Sequence, residues 1–365
     1  SSGLLNTNAV VFGGGAGASP FTGNVSTNGQ LLIGQTGIPP VFTTVTGDVT
    51  INAAGVATLA LSQPTLISEG RLTLTSGTPI TVTDVTGATT VFYAPYTGRY
   101  VPIYNGTTFV NIDIGGELSN STTASSVGNA GPTTVGVNSI YDEYAWLLNG
   151  NTPTLTRSPA WLSDTARGTG AGSAELLQIN GIWTNRFPIT NGPGTSLGTL
   201  VGSVRSNGVS QLTDSVLFRW VSNAYNDVPR SLIYQDTGGN HDYTTATFRQ
   251  WNGTTVAQID MLFTLSGSLL HARTGANSLN SGTNAFSILA IGIDSTSTSS
   301  AQITLGPSLA VANAAFNNAA WYTGYPGLGR RTAKMLEYSS ASGTTTWVGG
   351  SGGLILPGIT GEIKN

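Results

Sequence analysis

The chain contains no cysteine, 2 histidines and few charges, with 14 Lys and Arg and 17 Asp and Glu among 365 residues. Each scarcity excludes something. Without cysteine there are neither disulfides nor thiolate metal sites, so stability must come from packing and hydrogen bonds. A robust particle assembled in a reducing cytoplasm fits that pattern. Net charge is −3 with no cluster of Lys or Arg, so the basic footprint for gripping phosphate backbones is missing and no nucleic-acid partner is expected. No apolar run approaches the roughly 20 residues that span a bilayer, so no membrane insertion is expected. The longest candidate, Phe286 to Ile293, has strand length and ends at Asp294-Ser295-Thr296. Ser1-Ser2-Gly3-Leu4-Leu5 lacks a basic start and an apolar h-region, so the expected route out of a cell is lysis.

Charge has been replaced by Gly, Thr, Ser and Asn, since hydrophobic residues make up 39% of the chain. Thr is stiff at χ1, and Ser and Asn compete for the hydrogen bonds of a helix, so the composition predicts an all-β protein. The length suits two or three domains with a sizeable core. Neutral strand edges invite aggregation unless they are closed. Intertwining with other copies would close them, which predicts a homo-oligomer; a neutral monomer surface is the alternative.

Residues 1–21, with Gly13-Gly14-Gly15-Ala16-Gly17 and Pro20, read as a flexible docking arm. Residues 22–66 carry short apolar runs (Leu31-Leu32-Ile33, Val49-Thr50-Ile51, Val56 to Leu59) separated by Gly and Asn turns. They read as a short β-repeat shaft that buries almost nothing alone and packs on copies of itself. Residues 67–120 read as a small β domain. Residues 121–190 read as a connecting β region, with a short helix near Ser173 to Gln178. Residues 191–365 have the strongest strand signal, for example Val216 to Val221 and Met261 to Leu265, and predict a β-sandwich or jelly roll. Ala310 to Ala320 has helical composition, weakened by Asn317-Asn318.

Several of these segments resemble a known group. Arg71-Leu72-Thr73-Leu74-Thr75-Ser76-Gly77, Asp84 to Ala88 and Tyr104-Asn105-Gly106 resemble a module of tailed-phage and prophage virion proteins. Trp161 with Asp164 to Arg167, then Asn180-Gly181, Asn223 to Arg230 and Tyr243 to Arg249 follow in the order of that group. Gly292 to Thr296 and Gly343 to Trp347 close the match over roughly 67–365, and Gly29 to Gly34 resembles repeats of phage fibre shafts. The resemblance implies a tail or head fibre, a spike or a decoration protein of the virion. Such a protein is usually a homotrimer, bound to other capsid or tail proteins through its arm, with distal β-domains that touch host-surface polysaccharide. It carries over no catalytic residues and no cofactor. The expected architecture is thus all-β: arm and β-repeat shaft, then β-sandwich or jelly-roll-like domains in an intertwined trimer.

The enzymatic patterns in the chain are weak. Gly194-Thr195-Ser196-Leu197-Gly198 fits G-x-S-x-G, but it follows Asn191-Gly192-Pro193 with no helix pattern behind it, and only His241 and His271 could serve as base. His241 beside Gly238-Gly239-Asn240 reads as a polar turn residue, and His271 as a strand residue. No metal site is expected. Gly13-x-Gly15 and Gly168-x-Gly170-x-Gly172 lack the ending of a phosphate loop. Cleavage of glycans needs paired carboxylates, for which Asp214, Asp227, Asp236, Asp242, Asp260 and Asp294 qualify by type alone. For sugar stacking, Trp251, Trp321 and Tyr322 are the candidate ligand-binding residues. All three lie near turns and are expected at the surface, whereas Trp220 is expected in the core.

Overall fold

The structure, a computed structural model, describes residues 9–365 except 24, 25, 28, 47, 48, 53, 60–65, 129, 130, 307, 310 and 351–354. It is all-β: among the described residues the one helical element is a 3-10 turn, Trp251–Gly253. The chain divides into two compact units, Ser1–Thr65 and Leu66–Asn365.

The first unit consists of two-stranded ribbons. Val11–Phe12 pairs with Phe21–Thr22, Gln30–Gln35 with Ile38–Thr44, and Val49–Ile51 with Ala57–Leu59. The first eight residues of the expected arm lie outside the described residues. In the longest ribbon the consecutive residues Leu31, Leu32 and Ile33 are 42%, 40% and 40% exposed. Successive strand residues point to opposite faces, so equal exposure means that both faces of this ribbon are open.

The second unit has two main cores. In one, the sheet of Gly70–Thr73, Thr90–Pro95 and Leu118–Ser121 and the hairpin Tyr100–Tyr104/Phe109–Asp113 meet the strands Ile140–Leu148, Thr152–Arg157 and Thr199–Gly208. Leu72, Val91, Val101, Ile103, Tyr141, Leu155, Val201 and Val204 fill the space between them. The other core is a sandwich. Gln258–Phe263, Ala285–Ile293 and Gly329–Ser339 lie on one side. Opposite is a sheet in the order Pro229–Gln235, Gly358–Lys364, Leu270–Asn280, Phe316–Gly324, Ile303–Leu305. Ile259, Met261, Leu270, Leu289, Ile291, Ala320, Met335 and Ile359 interdigitate between them.

Two helical expectations are corrected. The segment near Ser173 to Gln178 contributes instead to the strand Leu176–Ile179, which pairs with Ile182–Asn185. Asn180 and Gly181 both take positive φ (49° and 86°), the geometry of a tight hairpin turn that matches strand twist. In Ala310 to Ala320, whose first residue lies outside the described set, the chain becomes extended and forms the strand Phe316–Gly324. It is paired on both edges, and the buried Asn318 donates from Nδ2 to Ser278 Oγ at 2.7 Å. Pairing and a satisfied buried amide outweigh alanine's helix propensity.

Buried charge runs through the second unit, and one facing pair lies close to residues 121–133. Arg157 is fully buried, and its guanidinium donates to the side chain of Asn120 and to the carbonyls of Ser121, Ala124 and Thr133. Glu143 sits opposite Arg157 in the ladder. Neither of its carboxyl oxygens has a hydrogen-bond partner among the described residues. Burial pushes its pKa up to about 8 against the pull of Arg157.

Candidate functional site

The outer face of the sandwich's five-strand sheet carries the most site-like geometry. Register decides what meets there. One row across the strands reads Ile233, Thr360, Arg273, Trp321, Ile303. The row on one side reads Ser231, Glu362, His271, Thr323, and on the other Gln235, Gly358, Gly275, Ala319, Leu305. Alternation turns these residues outward, while Leu270, Ala272, Ala320, Ile359 and Ile363 face the core.

Two hollows flank the Arg273–Trp321 pair, of about 370 Å³ and about 260 Å³, and both are lined by Arg273, Trp321 and Thr360. Glycines and alanine beside them (Gly275, Gly358, Ala319) keep the floor low. The half-buried indole of Trp321 is surrounded by a guanidinium, an imidazole, the Glu362 carboxylate and the hydroxyls of Thr323 and Thr360. Arg273 and Glu362 form no ion pair among the described residues, so both keep hydrogen-bonding capacity for a ligand. His271 Nδ1 lies 3.1 Å from Thr323 Oγ1. An apolar ring beside planar polar groups suits a flat, hydroxyl-rich molecule such as a sugar.

Of the three residues expected from sequence, Trp321 and Tyr322 both line the larger hollow, and Trp321 turns its ring outward on this face. Tyr322 is its neighbour on the same strand, so it points the other way and packs against the sandwich core. Trp251 is corrected outright: it is 0% exposed despite its turn. Its Nε1 donates to Asp236 Oδ2 at 2.6 Å, and its ring meets Trp347 at 5.3 Å and His241 at 4.7 Å. His241 is likewise not a turn residue. It begins the strand His241–Tyr243, and its Nε2 lies 2.6 Å from Oε2 of the buried Glu337, whose other oxygen accepts from Arg249. Trp220 is buried as expected.

Five of the six carboxylates singled out by type are engaged by hydrogen-bond or ion-pair partners; the sixth, Asp227, lines a hollow with Lys364 and Tyr325, and burial raises its pKa. Asp214 lies against Arg230 and Arg219, at 2.7 and 3.6 Å. Asp260 accepts from Arg330 and from Trp220 Nε1. Asp242 accepts from Thr346 and Asp294 from Arg331. Arg273, Thr360 and Glu362 were missed by sequence reasoning. No local spacing marks them, because only sheet register brings them to Trp321.

No family model and no curated protein matches the chain. Among solved structures it is similar to Eiger TNF from S. frugiperda, at 11% identity and a TM-score of 0.26, over 38% of this chain and 92% of that one. A Bacillus thuringiensis Cry1Da tryptic core variant matches at 8% identity and TM-score 0.20, over 76% of this chain and 48% of its own. The infectious bursal disease virus Gx strain structure matches at 13% and 0.22, over 92% of this chain and 74% of that one. Likenesses this partial bear on neither ligand nor partner.

Proposed function

We propose that the chain is a structural fibre or spike of a tailed-phage virion. It assembles as a homotrimer through its shaft segment, docks on the particle by its N-terminal arm and touches host-surface glycan with the Trp321 face. The observation that carries this reading is the ribbon Gln30–Gln35/Ile38–Thr44, apolar and open on both faces. An isolated two-stranded ribbon is marginal in water. Leu31, Leu32, Ile33, Ile38 and Val41 are all exposed, and copies of the same ribbon around an axis would cover them. Three identical heads joined through one shaft then gain avidity without new contacts.

A decoration protein without a receptor role is the second reading. The unpaired Arg273 and Glu362 beside Trp321 favour binding over decoration, and the arginine clasps on Asp214 and Asp260 favour binding over glycan cleavage. The test is competition. Host cells incubated with the purified chain should adsorb fewer particles of the phage that carries it, and Trp321→Ala should abolish this block. Thermal stability should change little, because outward substitutions away from core features stay near ±0.5 kcal/mol. Undiminished adsorption in the presence of the wild-type chain would overturn the receptor role.

A further inference from the structure

A second cleft, of about 610 Å³, lies on the opposite sheet of the sandwich from Trp321. Arg330, Thr332 and Lys334 alternate along one strand and so share its outer face, next to Gln258 on the neighbouring strand. Sequence reading found no cationic cluster. Folding makes one, by adding Arg205 to Arg330, Arg331 and Lys334.

Three of these cations are fixed by carboxylates. Arg330 donates to Asp260 at 2.6 Å and to Asp164 at 3.0 Å. Arg205 also reaches Asp164, at 3.2 Å. Asp294 accepts from Arg331 Nη1 at 2.9 Å and from the Thr332 amide at 2.8 Å. Burial works against the charge on Arg330, but its bonds to Asp260 and Asp164 more than compensate, so its pKa is raised and it stays cationic.

Four cations face three carboxylates, which leaves one positive charge in excess. It belongs to Lys334, which has no hydrogen-bond or carboxylate partner among the described residues. The Gln258 amide, across the ladder from Lys334, and the Thr255 hydroxyl also lack hydrogen-bond partners among the described residues and line the cleft, whereas Thr165 lies at its other end against Gly329. One free ammonium matches one monoanion such as a carboxylate. The amide and hydroxyl match vicinal sugar hydroxyls.

We propose that this cleft binds a uronic-acid unit of an acidic polysaccharide, its carboxylate on Lys334 and its hydroxyls on Gln258 and Thr255. The site is separate from the Trp321 face and does not depend on the fibre assignment. The pinned arginine network pre-organises the wall, so little ordering accompanies binding.

Calorimetric titration of the purified full chain with a galacturonate oligomer should show binding that weakens as salt rises. The neutral galactose oligomer should bind at least about tenfold more weakly, as a lost charged hydrogen bond implies. Lys334→Met should cost a similar factor and Gln258→Ala a smaller one, both with unchanged melting. Trp321→Ala should leave this affinity intact. Four outcomes overturn the proposal: no binding of the galacturonate oligomer, equal binding of the neutral one, displacement by equimolar inorganic phosphate, or an affinity lost with Trp321→Ala but kept in Lys334→Met.

Discussion

Asp260→Ala should lower the unfolding free energy by about 3–5 kcal/mol, the range for removing one partner of a buried ion pair. Asp260 is 1% exposed and accepts from Arg330 Nε and Nη2 and from the indole of Trp220. Without it, the Trp220 Nε1 proton loses its acceptor in the core. Arg330 keeps only Asp164, which it shares with Arg205. Asp260→Asn should cost less, because an amide oxygen can still accept from the indole while the charge is lost. Midpoints of chemical denaturation measure both. Total stability of a domain is only about 5–15 kcal/mol, so the alanine variant should be visibly weakened at ambient temperature. A loss below about 1 kcal/mol would contradict this role.

The second large effect is a pH dependence that runs against the usual acidic-residue pattern. Glu143 has its pKa raised from 4.5 to about 8, chiefly by burial, with Asp142 adding to the rise and Arg157 opposing it. Arg157 Nη1 and Nη2 donate to the Asn120 side chain and to loop carbonyls, and neither Arg157 Nε nor the facing carboxyl finds a hydrogen-bond partner among the described residues. For an acid whose folded pKa lies above the unfolded one, the contribution to stability is fully present below pH 4.5. It is lost as pH rises toward 8, because the unfolded chain has released a proton that the folded chain retains. Glu143→Gln carries no titrating proton at this position. Its stability relative to wild type should therefore climb steadily between pH 5 and pH 8 and level off above. The total is on the order of 5 kcal/mol at about 1.4 kcal/mol per pKa unit. Parallel stability–pH curves for the two proteins would show instead that Glu143 is ionised in the fold.

Much of the architecture was legible because β structure announces itself locally. A scarcity of charge and an excess of Thr, Ser and Asn pointed to strands, and Asn-Gly pairs marked hairpins. Asn149 and Gly150 take positive φ between the paired strands Ile140–Leu148 and Thr152–Arg157, as the turn requires. Ala310 to Ala320 misled because alanine's helix preference is weak. The decisive partner of Asn318, Ser278, lies 40 residues away.

The binding face was only partly legible for the same reason. Trp321 could be picked out as an aromatic near a turn, but Arg273, Thr360 and Glu362 reach it through the pairing of three strands. Trp251 shows the converse failure. A turn at Asn252-Gly253 suggested exposure, yet the indole folds inward onto Asp236, Trp347 and His241. The cationic group of Arg205, Arg330, Arg331 and Lys334 was not read from the sequence, and its single surplus charge emerges only when Asp164, Asp260 and Asp294 are set against it.

The exposed, two-faced ribbon of the first unit makes self-association the central claim, and the mass of the purified full chain in solution tests it most directly. Sedimentation equilibrium at micromolar concentration should give three times the mass of one chain. Substituting Leu31 and Ile33 with Asp should shift the particle toward monomer. A wild-type chain that sediments as a monomer at that concentration would contradict the trimeric fibre.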